Sequence, residues 1–119
     1  MRANEILNEG INKYPKELNN FQLAAYIEDN SPGFVDTERI ADEYIGYTAV
    51  LQTVPVSALR PGPDDHNIKS LRNQKKYDKM DASKMPPVVV ENGEVIDGNH
   101  RYRAAKKQGV KQILAYVIQ

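Results

Sequence analysis

The sequence predicts an α+β fold, in which helices pack on a small mixed β-sheet and an N-terminal helical extension precedes the sheet. Apolar residues recur at helical spacing in the first 47 residues, and the pattern changes at Thr48 to Val- and Thr-rich extended runs. Around Asn92-Gly93, two short apolar runs form the strongest hairpin signal of the chain. We interpret residues 1–47 as the extension and 48–119 as the domain. Together they form one globular unit, because 119 residues support one core.

The extension is predicted to contain three short helices. The first ends at Pro15, the second begins at a capping Asn19 or Asn20 and ends in "DNSPG", and the third starts at Asp36. Their apolar residues at helical spacing are, in chain order, Ile6, Leu7, Ile11, Tyr14, Phe21, Ala24, Ala25, Ile27, Ile40, Tyr44, Ile45 and Tyr47. The last four of these are expected to face a core.

The domain is predicted to begin with one extended strand, "TAVLQTVPVSALRPG", which ends in a Pro-Gly-Pro turn at residues 61–63. The next segment, "IKSLRNQKKYDKM", is predicted as a helix with Ile68 and Leu71 on one face. After the Asn92-Gly93 hairpin, a helix is expected from Asn99 to Gln108, with Gly109 as its left-handed C′ residue. The apolar run "VKQILAYVIQ" predicts a final strand.

Composition excludes several functions. Cysteine is absent, so disulfides, thiolate metal sites and cysteine-based catalysis are ruled out. The two histidines, His66 and His100, occur without a metal-ligand spacing such as HExxH, and we expect no structural metal. No apolar run approaches the ~18 residues of a membrane span, and no signal peptide follows Met1. We therefore expect a cytoplasmic protein that does not bind membranes.

Charge is distributed unevenly along the chain. Residues 1–50 hold nine acidic and four basic residues, whereas residues 51–119 hold seven acidic and twelve basic residues. The basic half is suited to an anion such as a nucleotide or a phosphate backbone. Alternatively, the two oppositely charged halves simply pack against each other.

The stretch Asp97-Gly98-Asn99-His100-Arg101 joins a predicted strand to a predicted helix. A helix N-terminus presents backbone N–H groups and partial positive charge, so it binds phosphate readily. The basic first turn opposes the helix dipole by ~0.3–1 kcal/mol for a charged group, which a bound anion would offset. Alternatively, Arg101 pairs with an acidic side chain and His100 fills a polar gap.

The "VPVSALRPG" run, the two-residue hairpin and "VIDGNHRYRAAKKQGVKQILAYVI" resemble the ParB/sulfiredoxin fold superfamily over residues 50–119. Its G-x-x-R signature reads Gly-Cys-His-Arg in sulfiredoxins, Gly-Glu-Arg-Arg in ParB proteins and Asp-Gly-His-His-Arg in free serine kinases. The resemblance implies ATP or CTP with Mg²⁺, bound through the backbone at Gly98 and through Asn99, His100 and Arg101. Arg60 is expected to be a further phosphate contact. Asn99 stands at the sulfiredoxin cysteine, so this chain is not a sulfiredoxin reductase.

The kinase-like branch implies a carboxylate base in the loop after the first strand. Asp64 or Asp65 is the candidate, although either could instead cap the following helix. Asp97 is a candidate base and Mg²⁺ ligand, or alternatively a side chain that hydrogen-bonds its own turn. His100 is a candidate for proton transfer as well as phosphate binding.

Three functions are left open by the sequence. The first is a nucleotide-binding protein that hydrolyses a nucleoside triphosphate or acts as a phosphotransferase, since such chemistry needs chiefly positioning and charge neutralisation. The second is a DNA- or RNA-binding or ParB-like nuclease module, for which the chain offers few stacking aromatics in its basic half. The third is a non-catalytic interaction protein.

Overall fold

The structure is a computed structural model, and it describes residues 13–30, 36–62 and 74–119. These residues form an α+β fold around a six-stranded mixed sheet, as predicted, with the strand order β1-β2-β6-β4-β5-β3. The strands are β1 Glu17–Leu18, β2 Ala49–Pro55, β3 Arg60–Pro61, β4 Val88–Glu91, β5 Glu94–Asp97 and β6 Gln112–Ile118.

The sheet mixes antiparallel and parallel pairs. Strand β6 lies in the middle, antiparallel to β2 and parallel to β4. Strand β4 is antiparallel to its hairpin partner β5, which pairs in parallel with β3 at the edge. Strand β1 adds to the other edge, antiparallel to β2, so a piece of the first 47 residues belongs to the sheet.

The helices lie on both faces of this sheet. They are α1 Asn20–Asn30, α2 Thr37–Glu43 and α3 Asn99–Lys107, with short 3-10 helices at Val56–Ala58 and Ala82–Lys84. Residues 74–78 are also helical. Within the described ranges, every helix is too short or too polar to cross a bilayer.

Alternation along the strands divides the core in two, because successive side chains point to opposite faces. On β4, Val88 and Val90 pack with Tyr102 and Ala105 of α3 in one cluster. Val89 points the other way and packs with α1 in a second cluster, which contains the buried residues Leu18, Leu23, Ile27, Tyr44, Ala49, Val89 and Tyr116. The continuous apolar run of β4 therefore reflects burial on both faces.

The hairpin and the C-terminal helix were correctly predicted. Asn92 and Gly93 have φ values of 50° and 78°, and β4 and β5 pair across them. Helix α3 begins at Asn99 and ends at Lys107, and Gly109 follows with φ 71°. Both features depend on short-range backbone preferences, which the local sequence is sufficient to indicate.

One prediction about the N-terminal region differs from the structure. Asp36 caps α2 by accepting a hydrogen bond from Arg39 N–H, but the helix ends at Glu43 and Gly46 reverses the chain with φ 85°. Tyr44 is buried as expected, whereas Ile45 is 66% and Tyr47 is 50% exposed, so placing these two in a core was wrong. The predicted first helix lies almost entirely outside the described residues.

The first strand of the domain is also shorter than predicted. Strand β2 ends at Pro55, a 3-10 turn follows, and β3 then runs along β5 at the far edge of the sheet. The segment predicted as one strand therefore forms two strands, separated by the 3-10 turn. Of the helix predicted over residues 68–80, the described part is helical at 74–78.

Candidate functional site

The candidate site is the turn that joins β5 to α3. Gly98 occupies the N-cap position in the left-handed conformation, with φ 94° and ψ 28°. The Tyr102 N–H donates to the Gly98 carbonyl at 2.9 Å, which starts the helical ladder. The N–H groups of residues 99–101 precede this first intrahelical bond and lie at the positive end of the helix dipole. The backbone therefore has the form of an anion-binding helix N-terminus.

Gly98 is required here by the packing of the protein itself. A Cβ atom at this position would lie 2.8 Å from Arg101 Nη2 and 2.9 Å from Val88 Cγ1, both closer than side chains tolerate. The positive φ adds a second reason, because residues with a Cβ resist it. Conformation and space together thus restrict this position to glycine.

Arg101 points into the protein from the turn. Arg101 is 4% exposed, and its guanidinium donates to the Pro86 carbonyl at 3.0 Å and the Pro87 carbonyl at 2.8 Å. A third hydrogen bond, 3.0 Å long, reaches Asp97 Oδ2 and forms a buried ion pair. The cation that opposes the helix dipole is therefore balanced by a carboxylate of the same turn. Its role as a phosphate contact stays a prediction.

Tyr26 of α1 joins the same network from the other side of the sheet. Its hydroxyl donates to the Pro87 carbonyl, which also accepts from Arg101. Its ring packs edge-on against Tyr116 with centroids 5.0 Å apart. Burial raises the pKa of Tyr26 well above its ordinary value, so the hydroxyl keeps its proton and donates. We call Asp97, Arg101, the two proline carbonyls and Tyr26 the inner side of the turn.

Asp97 lies where the sequence placed a candidate base and Mg²⁺ ligand. Its side chain is 11% exposed and is held by Arg101. Arg101 engages its Oδ2 atom, and the roles of base and Mg²⁺ ligand both remain predictions. Among the residues that the structure describes, no group of three or more histidine or carboxylate side chains is arranged to hold a metal ion.

Asn99 connects the turn to the end of β3. Its Oδ1 accepts a hydrogen bond of 3.0 Å from the Gly62 N–H. A Cβ at Gly62 would overlap the Val95 carbonyl, so the chain passes β5 closely here. Asn99 thus holds the loop that follows β3 beside the N-terminus of α3.

His100 is half-buried, and it contacts residues of the helical segment 74–78. Its Nδ1 lies 2.9 Å from Gln74 Oε1, and its ring stacks nearly parallel to Tyr77, with an angle of 4° and a centroid distance of 6.1 Å. Gln74 also reaches Asp78, which accepts a hydrogen bond of 2.7 Å from Lys107 Nζ. The Lys107 hydrogen bond, supported by Gln74, lowers the pKa of Asp78.

We call Asn99, His100 and Gln74 the outer side of the turn. Sequence reasoning missed Gln74 because it stands in a polar, lysine-rich helical segment where nothing distinguishes it from a solvated residue. Its position in the site depends on a contact with His100, which lies 26 positions away in the sequence.

Arg60 lies at the opposite end of β5 from the turn. It pairs in register with Glu94, and its guanidinium is 3.9 Å from that carboxylate and largely exposed. Four residues of extended chain, about 13 Å, separate the backbone of Glu94 from Gly98. The structure therefore does not bring the Arg60 backbone to the turn. Asp64 and Asp65 lie outside the described residues, so their catalytic role remains a prediction.

Two cavities of the described structure lie away from the turn. One, of about 510 Å³, lies beside the C-terminal end of α3 and is lined by Val56, Leu59 and Lys106 among others. Another, of about 540 Å³, lies between α1 and α2 and has the acidic residues Glu28, Asp29, Glu38 and Asp42 in its lining. Neither includes a residue from 97 to 101.

Comparison with known proteins adds little to this geometry. No family model matches the chain, and no curated protein matches it. A solved structure of the C-terminally truncated chromosome-partitioning protein ParB from Caulobacter crescentus, complexed with CTP-gamma-S, aligns with 56% of this chain at 19% identity and a TM-score of 0.43. The alignment spans 43% of that protein's chain. A similarity of this extent does not indicate what this chain binds.

Proposed function

We propose that this protein binds the phosphates of a nucleoside triphosphate, ATP or CTP with its Mg²⁺, at the N-terminus of α3. The observation that supports the proposal is the Gly98 turn, which starts α3 so that the N–H groups of residues 99–101 precede its first intrahelical hydrogen bond. Oriented N–H groups and the helix dipole attract an anion together.

The outer side of the turn supplies the side chains of the proposed site. His100 is half-exposed and Asn99 adjoins the same N–H groups, so both are close to an anion held there. Arg101 would contact phosphate only by giving up Asp97 and the proline carbonyls. In its described position it instead supports the turn from within, and the backbone of Arg60 lies at the hairpin end of β5, away from the turn.

Hydrolysis or phosphoryl transfer extends the proposal beyond binding. Such a reaction needs a base for the attacking hydroxyl and charge neutralisation by Mg²⁺. The candidates for the base are Asp64, Asp65 and Asp97, and Asp97 is also the candidate metal ligand. Phosphate release from bound nucleotide, compared among Asp64→Asn, Asp65→Asn and Asp97→Asn, tests this extension. Variants that melt below the wild type are compared only at temperatures where they are folded.

The substitution Asn99→Asp tests nucleotide binding most sharply. An aspartate retains the oxygen that accepts from Gly62 N–H, and a negative charge at a helix N-terminus stabilises the helix by ~0.3–1 kcal/mol. The same charge repels phosphate by about 1–4 kcal/mol at ~4 Å, which is roughly fivefold or more in affinity. Stability and binding should therefore change in opposite directions.

Calorimetry with ATP, CTP and GTP in the presence of Mg²⁺ measures the binding. The matched control is Asn92→Asp, which makes the same charge change at the other end of β5 and should leave affinity unaltered. Absence of binding by all three nucleotides, or equal affinity in Asn99→Asp and wild type, contradicts the proposal. Binding of DNA or RNA that weakens steeply with salt would instead favour the nucleic-acid alternative.

A further inference from the structure

Gln74 determines which ring nitrogen of His100 carries a hydrogen. Its amide nitrogen donates to Asp78 Oδ1 at 2.9 Å and to the His100 carbonyl at 3.2 Å. A carbonyl and an ionised carboxylate only accept, so the amide nitrogen faces them and the amide oxygen faces His100. That oxygen lies 2.9 Å from Nδ1 and accepts from it, which requires a hydrogen on Nδ1.

The Nδ1–H form changes what the other nitrogen offers to a ligand. In a neutral ring with Nδ1–H, Nε2 bears a lone pair and can only accept a hydrogen bond. Phosphate oxygens are acceptors as well, so a neutral His100 in this form opposes them. In the protonated ring both nitrogens donate, and the ring adds a positive charge.

We infer that Gln74 is a positioning residue that makes anion binding at the Gly98 turn depend on protonation of His100. The inference rests on the proposed phosphate site, but the hydrogen on Nδ1 follows from the contacts of Gln74 alone. Among the described residues, Lys107 holds Asp78 at 2.7 Å, and Asp78 in turn orients the Gln74 amide. The arrangement therefore extends from the C-terminal end of α3 to its first turn.

The charged groups around His100 come from three elements. From residues 74–78 they are Asp78, which is paired with Lys107, and Lys76, whose Nζ lies 5.9 Å from the centre of the Tyr77 ring. On α3 itself, Arg101 is paired with Asp97 of the preceding strand. Of these groups, Asp78 and Arg101 are each held in an ion pair, and histidine is the side-chain type whose charge ordinarily changes near neutral pH.

Nitrogen-detected NMR of the histidine side chains tests the tautomer without any ligand. His66→Gln removes the other histidine and assigns the remaining signals to His100. We expect Nδ1 to be the protonated nitrogen above the titration midpoint in wild type. In Gln74→Leu the ring should revert to the Nε2–H form that free histidine prefers. A wild-type ring with Nε2–H would overturn the inference whether or not the protein binds anions.

Binding of inorganic triphosphate, measured between about pH 6 and pH 8, tests the consequence for the site. Linkage to one proton predicts that wild-type affinity falls up to about tenfold per pH unit above the midpoint. In Gln74→Leu, a neutral ring can also donate from Nε2, so the affinity should fall less steeply with pH than in wild type. Because the probe is the same, its own titration affects both proteins equally.

Gln108→Leu is the matched control, since Gln108 also bridges α3 to the 78–82 region but does not contact His100. It should retain the wild-type pH dependence. Equal pH dependence in wild type and Gln74→Leu, or affinity that does not vary with pH in wild type, overturns the inference. If triphosphate does not bind at any pH while the NMR result holds, the proposed function fails and the assignment of Gln74 to the His100 tautomer stands.

Discussion

His100 and Arg101 are neighbours in sequence, yet their side chains lie in opposite environments at the turn. Arg101 is 4% exposed and donates to a carboxylate and two carbonyls of the inner side. His100 is half-buried on the outer side, where a glutamine and a tyrosine orient its ring. Arg101 supports the turn from within and His100 lies on its half-buried outer side, although both were predicted from the sequence as phosphate contacts.

The difference shows that a basic residue in a first helical turn can be balanced in two ways. Arg101 is balanced within the protein by Asp97, which lies four residues earlier in the chain. A histidine side chain does not require a permanent counter-charge, because an unperturbed imidazole is neutral through part of the physiological pH range. Binding of an external anion is therefore expected to depend on the side chains of the outer side. The following predictions test this division, beginning with the largest effect.

Arg101→Ala should have the largest effect on stability. It leaves the Asp97 carboxylate buried without its cation, which typically costs about 3–5 kcal/mol. His100→Ala, on the outer side, should cost less than about 1 kcal/mol. Urea unfolding measures both. The double variant Asp97→Asn/Arg101→Met should recover part of the loss, because no buried charge remains. Equal losses for the two alanine variants would remove the distinction between the sides.

Gly98→Ala should be the next most damaging change. Gly98 and Gly109 both have positive φ, but a Cβ at Gly109 meets nothing within 4 Å, whereas one at Gly98 meets Arg101 and Val88. Overpacking should therefore make Gly98→Ala about 1–3 kcal/mol worse than Gly109→Ala in free energy of unfolding. Similar losses in the two variants would show that backbone conformation alone requires the glycine.

Tyr26→Phe should lower the free energy of unfolding by about 0.5–1.5 kcal/mol, because one hydrogen bond on the inner side is lost. We expect the lower end, because the Pro87 carbonyl keeps its bond from Arg101.

The same variant should change stability in alkali. The raised pKa of Tyr26 means that its contribution is complete below the unfolded value of about 10 and declines as pH rises above it. Burial also raises the pKa of Tyr116, to about 12, so alkaline loss should be reduced and not abolished in Tyr26→Phe. Urea unfolding from neutral pH into alkali measures this, and an unchanged slope would contradict it.

Lys107→Met should have the smallest effect on the free energy of unfolding, close to the limit of detection, because the lysine side chain is 68% exposed. The lowered pKa of Asp78 contributes stability above the unfolded pKa of about 3.9, and this is lost as pH falls. Lys107→Met should therefore differ from wild type near neutrality and converge with it in acid. An NMR titration should show the Asp78 carboxyl moving toward its ordinary pKa.

The elements around the turn were predictable because their signals are local. Asn92-Gly93 specifies its hairpin by backbone preference, and Gly109 ends α3 for the same reason. Periodicity was less reliable at Ile45 and Tyr47, where it continued past the residue at which α2 ends. The spacing of apolar residues is the same before and after the end of α2, so the spacing does not show where the helix ends. Only the chain reversal at Gly46 separates the two parts.

By itself, the sequence determined the α+β class, the hairpin, the position of α3 and the presence of a glycine turn at its N-terminus. Tertiary structure alone decided which side chains of that turn face the protein. The partners of Arg101 are carbonyls at Pro86 and Pro87, and that of His100 is Gln74, all brought close by the fold. Backbone preferences act over a few residues, whereas burial and counter-charge depend on segments that are distant in the chain.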